Sequence, residues 1–245
     1  MPHIKLLIEF DGTDFHGWQQ QAEQRTVQGV LEEAIASMNG ERTPARASSR
    51  TDAGVHARAM PVCFRAGRSI PPRGWLRGLN SLLPRDLSVH SVEEVADDFD
   101  PRRSARGKTY RYRIWNAPHP SALEARTSWL VHPPLDLDVM RQSAQPLLGE
   151  HDFSAFRAAH CDSRSTMRLV EDITVQGAGA IIEIAITANA FLRNMARIVA
   201  GTLVEAGLGR RSPTDVALAL ASGERARAGV TAPPHGLFLE EVRYP

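Results

Sequence analysis

The stretch Ile4-Lys5-Leu6-Leu7-Ile8-Glu9-Phe10-Asp11-Gly12-Thr13-Asp14 lies near the start of the chain and indicates the fold class. Apolar residues occupy every second position from Ile4 to Phe10, and this period of two predicts a strand with one buried face. The residues from Asp11 to Asp14 are typical of a turn. We therefore expect the chain to begin with a β-strand that ends in a tight turn.

A helix is predicted shortly after this turn. Thr26 suits the position that caps a helix at its start, and Gly40 suits the position that ends one. The residues on one face between them are apolar and follow the helical period: Val27, Val30, Leu31, Ala34, Ile35 and Met38.

Strands and helices alternate through the rest of the chain in two similar halves. In the first half, strands are predicted at 43–47, 55–64 and 87–95, around a second helix near 75–83. In the second half, strands are predicted at 109–115, 169–175, 180–187 and 237–242, with helices at 137–148 and 190–206. A last helix is capped by Ser212, carries Pro213 in its first turn and ends at Gly223.

This order of elements predicts an α+β protein. A pair of β-α-β-β-α-β units fits the alternation better than a doubly wound parallel sheet does. The stretch Phe99-Asp100-Pro101 resembles a crossing between the halves. We therefore expect an N-terminal half at 1–103 and a C-terminal half at 104–245.

Composition excludes several classes of protein. The 245 residues are 42% hydrophobic, which is enough for an ordinary globular core. No apolar run approaches the roughly 18 residues of a membrane span, and Met1 leads straight into a strand pattern, so we expect a cytoplasmic protein. Cys63 and Cys161 lie far apart and outside any Cys-x-x-Cys motif. Without a phosphate loop, a dinucleotide motif or clustered ligands, neither cofactor nor metal is expected.

Basic residues are concentrated in one segment although the net charge is only +1. No acidic residue occurs between Pro101 and Leu123. An arginine-rich segment beside tyrosines is typical of an RNA-contacting surface, where arginine binds phosphate and aromatic rings stack on bases. A charged strand edge that prevents aggregation is the alternative. We call the following residues the basic stripe: Arg102, Arg103, Arg106, Lys108 and Arg111.

One carboxylate stands out in the stretch Ser48-Ser49-Arg50-Thr51-Asp52-Ala53-Gly54-Val55-His56-Ala57. Asp52 lies outside any periodic element, and an aspartate is ionised at neutral pH without a base to activate it. Arg50 could lie on the same side of an extended segment and favour the charged carboxylate. The pattern is therefore that of a nucleophile, or alternatively of a turn in which Gly54 supplies a positive φ.

The same stretch resembles the signature of the tRNA pseudouridine synthase A family, in which glycine usually occupies the position of Ser49. The resemblance continues in family order through most of the chain. Its further motifs are Phe10-Asp11-Gly12-Thr13, Gly17-Trp18-Gln19, Thr26-Val27-Gln28, Lys108-Thr109-Tyr110-Arg111-Tyr112, Gly149-Glu150-His151-Asp152-Phe153, Phe191-Leu192-Arg193-Asn194-Met195-Ala196-Arg197 and Gly236-Leu237-Phe238-Leu239.

This resemblance implies two RRM-like or ferredoxin-like halves whose mixed, mainly antiparallel sheets join around a central cleft. It implies isomerisation of uridine to pseudouridine at positions 38, 39 and 40 of tRNA, by a homodimer without cofactor or metal. Asp52 would be the nucleophile and Arg197 its ion-pair partner. Tyr110 would pack against the target base, and Leu237 would line the uracil pocket. Arg50 would hold the flipped nucleotide or fill its place.

Two other functions remain open from the residues. An RNA-binding module of the RRM type would have no use for Asp52, and the chain lacks the glycine and aromatic pattern of such modules. A glycosidase or nucleoside hydrolase would need a second carboxylate near the first. Glu9 and Asp11 are the nearest candidates, but the strand and turn pattern already explains both.

Overall fold

The computed structural model describes residues 1–159, 161 and 163–245, which form ten strands and five α-helices. The strands are β1 His3–Phe10, β2 Arg46–Ala47, β3 His56–Arg65, β4 Leu87–Val95, β5 Gly107–Asn116, β6 Trp129–Val131, β7 Gly149–Asp152, β8 Met167–Ala178, β9 Ile181–Ala188 and β10 Leu237–Arg243. The helices are α1 Val27–Asn39, α2 Pro72–Leu82, α3 Leu137–Ala144, α4 Met195–Gly207 and α5 Pro213–Ser222. The described residues divide into two compact units, the first of Met1–Arg106 with Phe238–Pro245 and the second of Gly107–Leu237.

The first unit has the strand order β4-β1-β3, and β2 pairs with β3 on the far side. β1 is antiparallel to both β3 and β4. Its residues alternate as the sequence predicted, with Ile4, Leu6 and Ile8 fully buried. With α1 after β1 and α2 after β3, this is the ferredoxin-like β-α-β-β-α-β arrangement that was expected.

The helices of the first unit follow their sequence signals. The Thr26 side chain caps α1 by accepting a hydrogen bond from the Gly29 N–H at 3.2 Å. Gly40 ends the helix with a φ of +83°. Trp75 anchors α2 on the sheet through an edge contact with Phe64, whose ring centroid lies 5.1 Å away.

The second unit has the strand order β5-β9-β8-β7, antiparallel throughout, with the short β6 parallel to β5. α3 lies in sequence between β5 and β8, and α4 follows β9, so the same order of elements recurs. The predicted α+β class with mainly antiparallel sheets is confirmed. The joining of the two sheets around a cleft stays a prediction.

The predicted helix at 190–206 was wrong at its start. α4 begins at Met195, because Asn194 has a left-handed φ of +61° and a right-handed helix cannot continue through it. Phe191 and Arg193 therefore lie in the preceding loop and not on helix faces. α3 also ends early, at Ala144, since Pro146 lies in a 3-10 helix at Gln145–Leu147.

The two compact units differ from the predicted halves in where the last strand, β10, belongs. The sequence suggested 1–103 and 104–245, whereas Phe238–Pro245 belongs to the first unit. The cause is a parallel pairing of β10 with β3, in which Phe238 lies opposite His56 and Leu239 opposite Ala57.

Candidate active site

Asp52 lies in the loop between β2 and β3, outside regular structure, as the sequence predicted. The Val55 N–H donates to the Asp52 carbonyl oxygen at 3.2 Å, and Gly54 has a φ of +77°. A backbone turn of this kind needs glycine at its third residue. The Asp52 side chain is half-buried. The turn therefore explains Gly54, and it leaves a chemical role for the Asp52 carboxylate open.

Gly17 holds the backbone on the N-terminal side of Asp52. Its φ is +82°, and a Cβ atom there would lie 2.6 Å from the Thr51 carbonyl oxygen and 3.2 Å from the Asp52 carbonyl carbon. The next residue, Trp18, donates its N–H to the same Thr51 oxygen at 3.1 Å. Only glycine permits both this conformation and this approach.

Gly12 holds the backbone on the other side of the turn. A Cβ on Gly12 would lie 2.0 Å from the Val55 carbonyl oxygen, so the two backbones are in direct contact. The Gly12 N–H donates to Nδ1 of the buried His56 at 3.0 Å. The His56 ring stacks on Phe238 at 4.6 Å between centroids. His56 thus supports the loop from the buried side.

Burial alternates along the segment that leads to Asp52. Ser49 and Thr51 are buried, Arg50 is exposed and Asp52 is partly exposed. This alternation agrees with the prediction that Arg50 and Asp52 lie on one side of an extended segment. Among the residues that the structure describes, only Glu23 and Asn194 combine a positive φ with a side chain. Ser49 therefore fits its position without backbone strain, although glycine is usual there.

The two tyrosines of β5 have different surroundings in the second unit. The Tyr112 side chain is fully buried, and its hydroxyl donates to the Pro233 carbonyl oxygen at 2.8 Å. Burial raises the pKa of the Tyr112 phenol far above its ordinary value, and the charge of Arg197 offsets part of this rise. Tyr112 is thus a core tyrosine with a satisfied hydroxyl. Tyr110 keeps 9% of its surface exposed and meets the edge of Phe191, with ring centroids 4.8 Å apart.

Arg197 is held by backbone and side-chain contacts within the second unit. Its Nε donates to the Ala232 carbonyl oxygen at 2.7 Å, and the Ala232 N–H donates to the Arg197 carbonyl oxygen at 3.1 Å. Its Nη1 donates to Oδ1 of Asn194 at 3.4 Å. Asp52 and Arg197 belong to different units, and the ion pair between them stays a prediction.

Leu237 is anchored through the residue before it. A Cβ on Gly236 would lie 2.7 Å from the Tyr112 ring and 2.8 Å from the Arg113 carbonyl oxygen, so this turn is pressed against β5. Leu237 is 6% exposed. His235 lies in the same turn and was not singled out from the sequence. Its position in the sequence, between Pro234 and the Gly236-Leu237 motif, could have marked it as a candidate site residue.

His235 has an altered protonation equilibrium. Burial lowers the pKa of its imidazole below the ordinary value. A hydrogen bond with the Ser128 backbone acts in the opposite direction, and the positive charge of Arg197 lowers the pKa further. His235 therefore favours the neutral form more than an exposed histidine does, close to a guanidinium that the sequence assigns to the site.

Some side chains of the basic stripe are exposed to solvent, and another is paired with a carboxylate. Asp100 accepts hydrogen bonds at 2.8 Å from the N–H groups of both Arg102 and Arg103, whose side chains are exposed. Arg106 is also exposed. Arg111 instead donates to Glu183 at 2.7 Å. The three exposed arginines are therefore the better candidates for phosphate contacts, and RNA binding by the stripe stays a prediction.

Three further properties concern the described part of the chain. No group of three or more His, Cys, Asp or Glu residues is placed there to hold a metal ion. Burial raises the pKa of the Cys63 thiol to about 12. Within the same residues, no helix is long and apolar enough to cross a membrane.

The first unit is ferredoxin-like and carries a partly exposed aspartate on a closely held loop, which places the chain in a class of α+β proteins with a loop carboxylate. Comparison with protein families matches residues 6–102 and 143–245 to the tRNA pseudouridine synthase family. The chain therefore belongs to the tRNA pseudouridine synthase family, as its motifs predicted.

Curated relatives that match the whole of this chain agree with this assignment. The tRNA pseudouridine synthase A of Myxococcus xanthus is 49% identical over 245 residues, which cover 100% of this chain and 92% of the relative. The protein of the same name from Pelobacter propionicus is 47% identical, with 100% of each chain covered. That of Citrifermentans bemidjiense is 45% identical, with 100% of this chain and 98% of the relative covered.

Proposed function

We propose that Asp52 is the nucleophile with which this member of the tRNA pseudouridine synthase family isomerises uridine to pseudouridine in tRNA. The Asp52 carboxylate attacks the ribose or the base of the target nucleotide. The bond between N1 and C1′ breaks, the base rotates, a bond between C5 and C1′ forms, and the bond to Asp52 breaks, which regenerates the carboxylate. C5 loses a proton and N1 gains one, so atoms and electrons balance without a cofactor.

The other site residues position the nucleotide around Asp52. Arg197 pairs with the Asp52 carboxylate and offsets the cost of removing this charge from water when the substrate closes the site. Tyr110 packs against the uracil ring and is the candidate for proton transfer at C5. Leu237 lines the uracil pocket on the apolar side. Arg50 is exposed beside the nucleophile. It holds the flipped nucleotide or fills the space that the flipped base leaves between its stacked neighbours.

The proposed substrate is a specific set of uridines within tRNA. By the family resemblance, the targets are uridines 38, 39 and 40 in the anticodon stem-loop, and the active form is a homodimer in the cytoplasm. A stacked uridine has to be flipped out before Asp52 can reach it, at a cost of a few kcal/mol that contacts in the pocket offset. The exposed arginines of the basic stripe supply phosphate contacts for this arrangement.

The construction of the Asp52 loop is the observation that carries this proposal. The backbone is held on one side by Gly17 and on the other by Gly12, yet the Asp52 side chain keeps partial exposure beside Arg50. A catalytic group needs such a fixed backbone, because small displacements of a reacting atom are costly in rate. The turn by itself does not account for the partial exposure of the Asp52 carboxylate beside Arg50.

The test is conversion of an unmodified tRNA transcript without added metal or cofactor. Wild-type protein, Asp52→Asn and the exposed carboxylate control Asp98→Asn are incubated with the transcript, and pseudouridine is mapped by carbodiimide-dependent primer stops. We expect stops in the anticodon arm with wild type and Asp98→Asn alone.

Other results would refute the proposal in distinguishable ways. Stops that persist with Asp52→Asn would make Asp52 a turn residue. Tight tRNA binding by the wild type without any stops would favour an RNA-binding module. Release of free uracil would indicate a hydrolase.

A further inference from the structure

Asn194 precedes α4 and differs from a usual helix-capping residue. Such a residue normally has an extended backbone and caps the first turn with its side chain. Asn194 instead has a φ of +61° and a ψ of 5°, and its side chain makes no capping hydrogen bond. Its carbonyl oxygen still accepts the first helical hydrogen bond, from the Ile198 N–H at 2.9 Å. The Asn194 side chain therefore does not cap the helix, which is the usual reason for an asparagine at this position.

The amide of Asn194 is directed to the Arg197 guanidinium. Its Oδ1 accepts from Nη1 at 3.4 Å, while the Arg197 Nε donates to the Ala232 carbonyl oxygen at 2.7 Å. Two acceptors on different chain segments therefore hold one planar guanidinium. Such a pair limits the rotation of a long side chain that would otherwise sample many rotamers.

The segment that supplies the Ala232 acceptor is itself fixed against α4. A Cβ on Gly201 would lie 2.0 Å from the Val230 carbonyl oxygen, and one on Gly229 would lie 2.6 Å from the Thr202 Cα. The Gly229 N–H donates to the Thr202 hydroxyl at 2.9 Å. The Ala232 carbonyl oxygen is therefore a fixed acceptor, and the Asn194 amide oxygen is a side-chain acceptor for the same guanidinium.

We propose that Asn194 is a positioning residue for the reaction, which holds the Arg197 guanidinium in its working orientation through its amide oxygen. This inference rests on the proposed role of Arg197. The left-handed backbone is part of this arrangement, because the Asn194 side chain makes no capping hydrogen bond and instead meets the Arg197 guanidinium. Backbone strain of this kind is often retained at functional sites.

Two substitutions separate the amide from the backbone. Asn194→Gly keeps the left-handed conformation and removes the amide, whereas Asn194→Ala removes the amide and opposes the conformation. We expect both to lower kcat on tRNA about tenfold, equivalent to about 1.4 kcal/mol. KM should change less than twofold, and only Asn194→Ala should also lower Tm by several degrees. Full activity of Asn194→Gly would overturn the proposal.

Ser212→Ala is the matched control for helix capping. Its side chain caps α5 by accepting from the Asp215 N–H at 3.2 Å, so the variant should lose stability and keep kcat. Loss of activity in this control to the same extent as in Asn194→Gly would attribute the Asn194 effect to general destabilisation and overturn the proposal.

A double-mutant cycle tests whether Asn194 acts through Arg197. In an Arg197→Lys background, Asn194→Gly should cost less than twofold in kcat, because the guanidinium that it orients is absent. An additive tenfold loss would overturn the proposal. Failure of the proposed function itself would be seen separately, as activity that survives Asp52→Asn or Arg197→Ala.

Discussion

Replacing Gly17 with alanine tests whether the backbone beside Asp52 is as closely held as the distances indicate. The new Cβ would lie 2.6 Å from the Thr51 carbonyl oxygen, at a residue with a φ of +82°. The left-handed conformation costs about 1–2 kcal/mol, and relief of the overlap costs about 1–3 kcal/mol more. We expect Tm to fall by roughly 4–20 °C. Because Asp52 moves with this backbone, kcat should fall by about 100-fold.

Gly209→Ala is the control for conformational strain alone. Gly209 has a φ of +71°, and no atom lies within 4 Å of its hypothetical Cβ. This variant should lose about 1–2 kcal/mol of stability and keep its activity. Both variants are compared by thermal unfolding and by conversion of tRNA well below Tm. Equal loss of stability together with equal activity in the two variants would refute the reasoning about Gly17.

Three further variants have expected outcomes. Thr51→Val should raise the free energy of urea unfolding by about 1 kcal/mol, because the buried Thr51 hydroxyl has no hydrogen-bond partner among the described residues. The lowered pKa of His235 means that the folded protein binds this proton more weakly than the unfolded chain, so stability falls as pH drops below about 6.5. His235→Gln should reduce the difference in Tm between pH 7.5 and 5.5, and an unchanged difference would contradict this. Arg102→Glu combined with Arg106→Glu should weaken tRNA binding and lower its salt slope by about 1–2. Unchanged affinity would remove the basic stripe from the binding surface.

Elements whose signals are local could be predicted from the sequence. α5 is an example, because Ser212, Pro213 and Gly223 each act on the backbone within one or two residues of themselves. The loop of Asp52 is another, since Gly54 marks its turn and the motif marks its carboxylate. In both cases the signals that predict the element lie within a few residues in sequence, although Gly12 and Gly17 hold the Asp52 loop from elsewhere in the chain.

Two features of the fold could not be predicted from the sequence. One depends on long-range strand pairing and the other on a single unusual backbone dihedral angle. The parallel contact of Phe238 with His56 joins positions 182 residues apart, and no local pattern encodes it. The start of α4 was misplaced because the apolar period continues through 190–194, while the φ of Asn194 depends on surrounding contacts. The supports of Arg197 were missed for a related reason, since Ala232 contributes a backbone atom that is independent of its side chain.

The rigidity of the Asp52 loop bears on how one aspartate could serve three neighbouring uridines. Gly12 and Gly17 bring backbone against backbone on both sides of the turn, so the loop cannot shift from one nucleotide to the next without losing these contacts. Under the proposed function, the RNA has to move instead. Strengthening the stem around a target uridine should therefore slow its conversion, because unstacking becomes more costly. Time courses on transcripts with added G·C pairs test this, and rates independent of stem stability would mean that the loop moves.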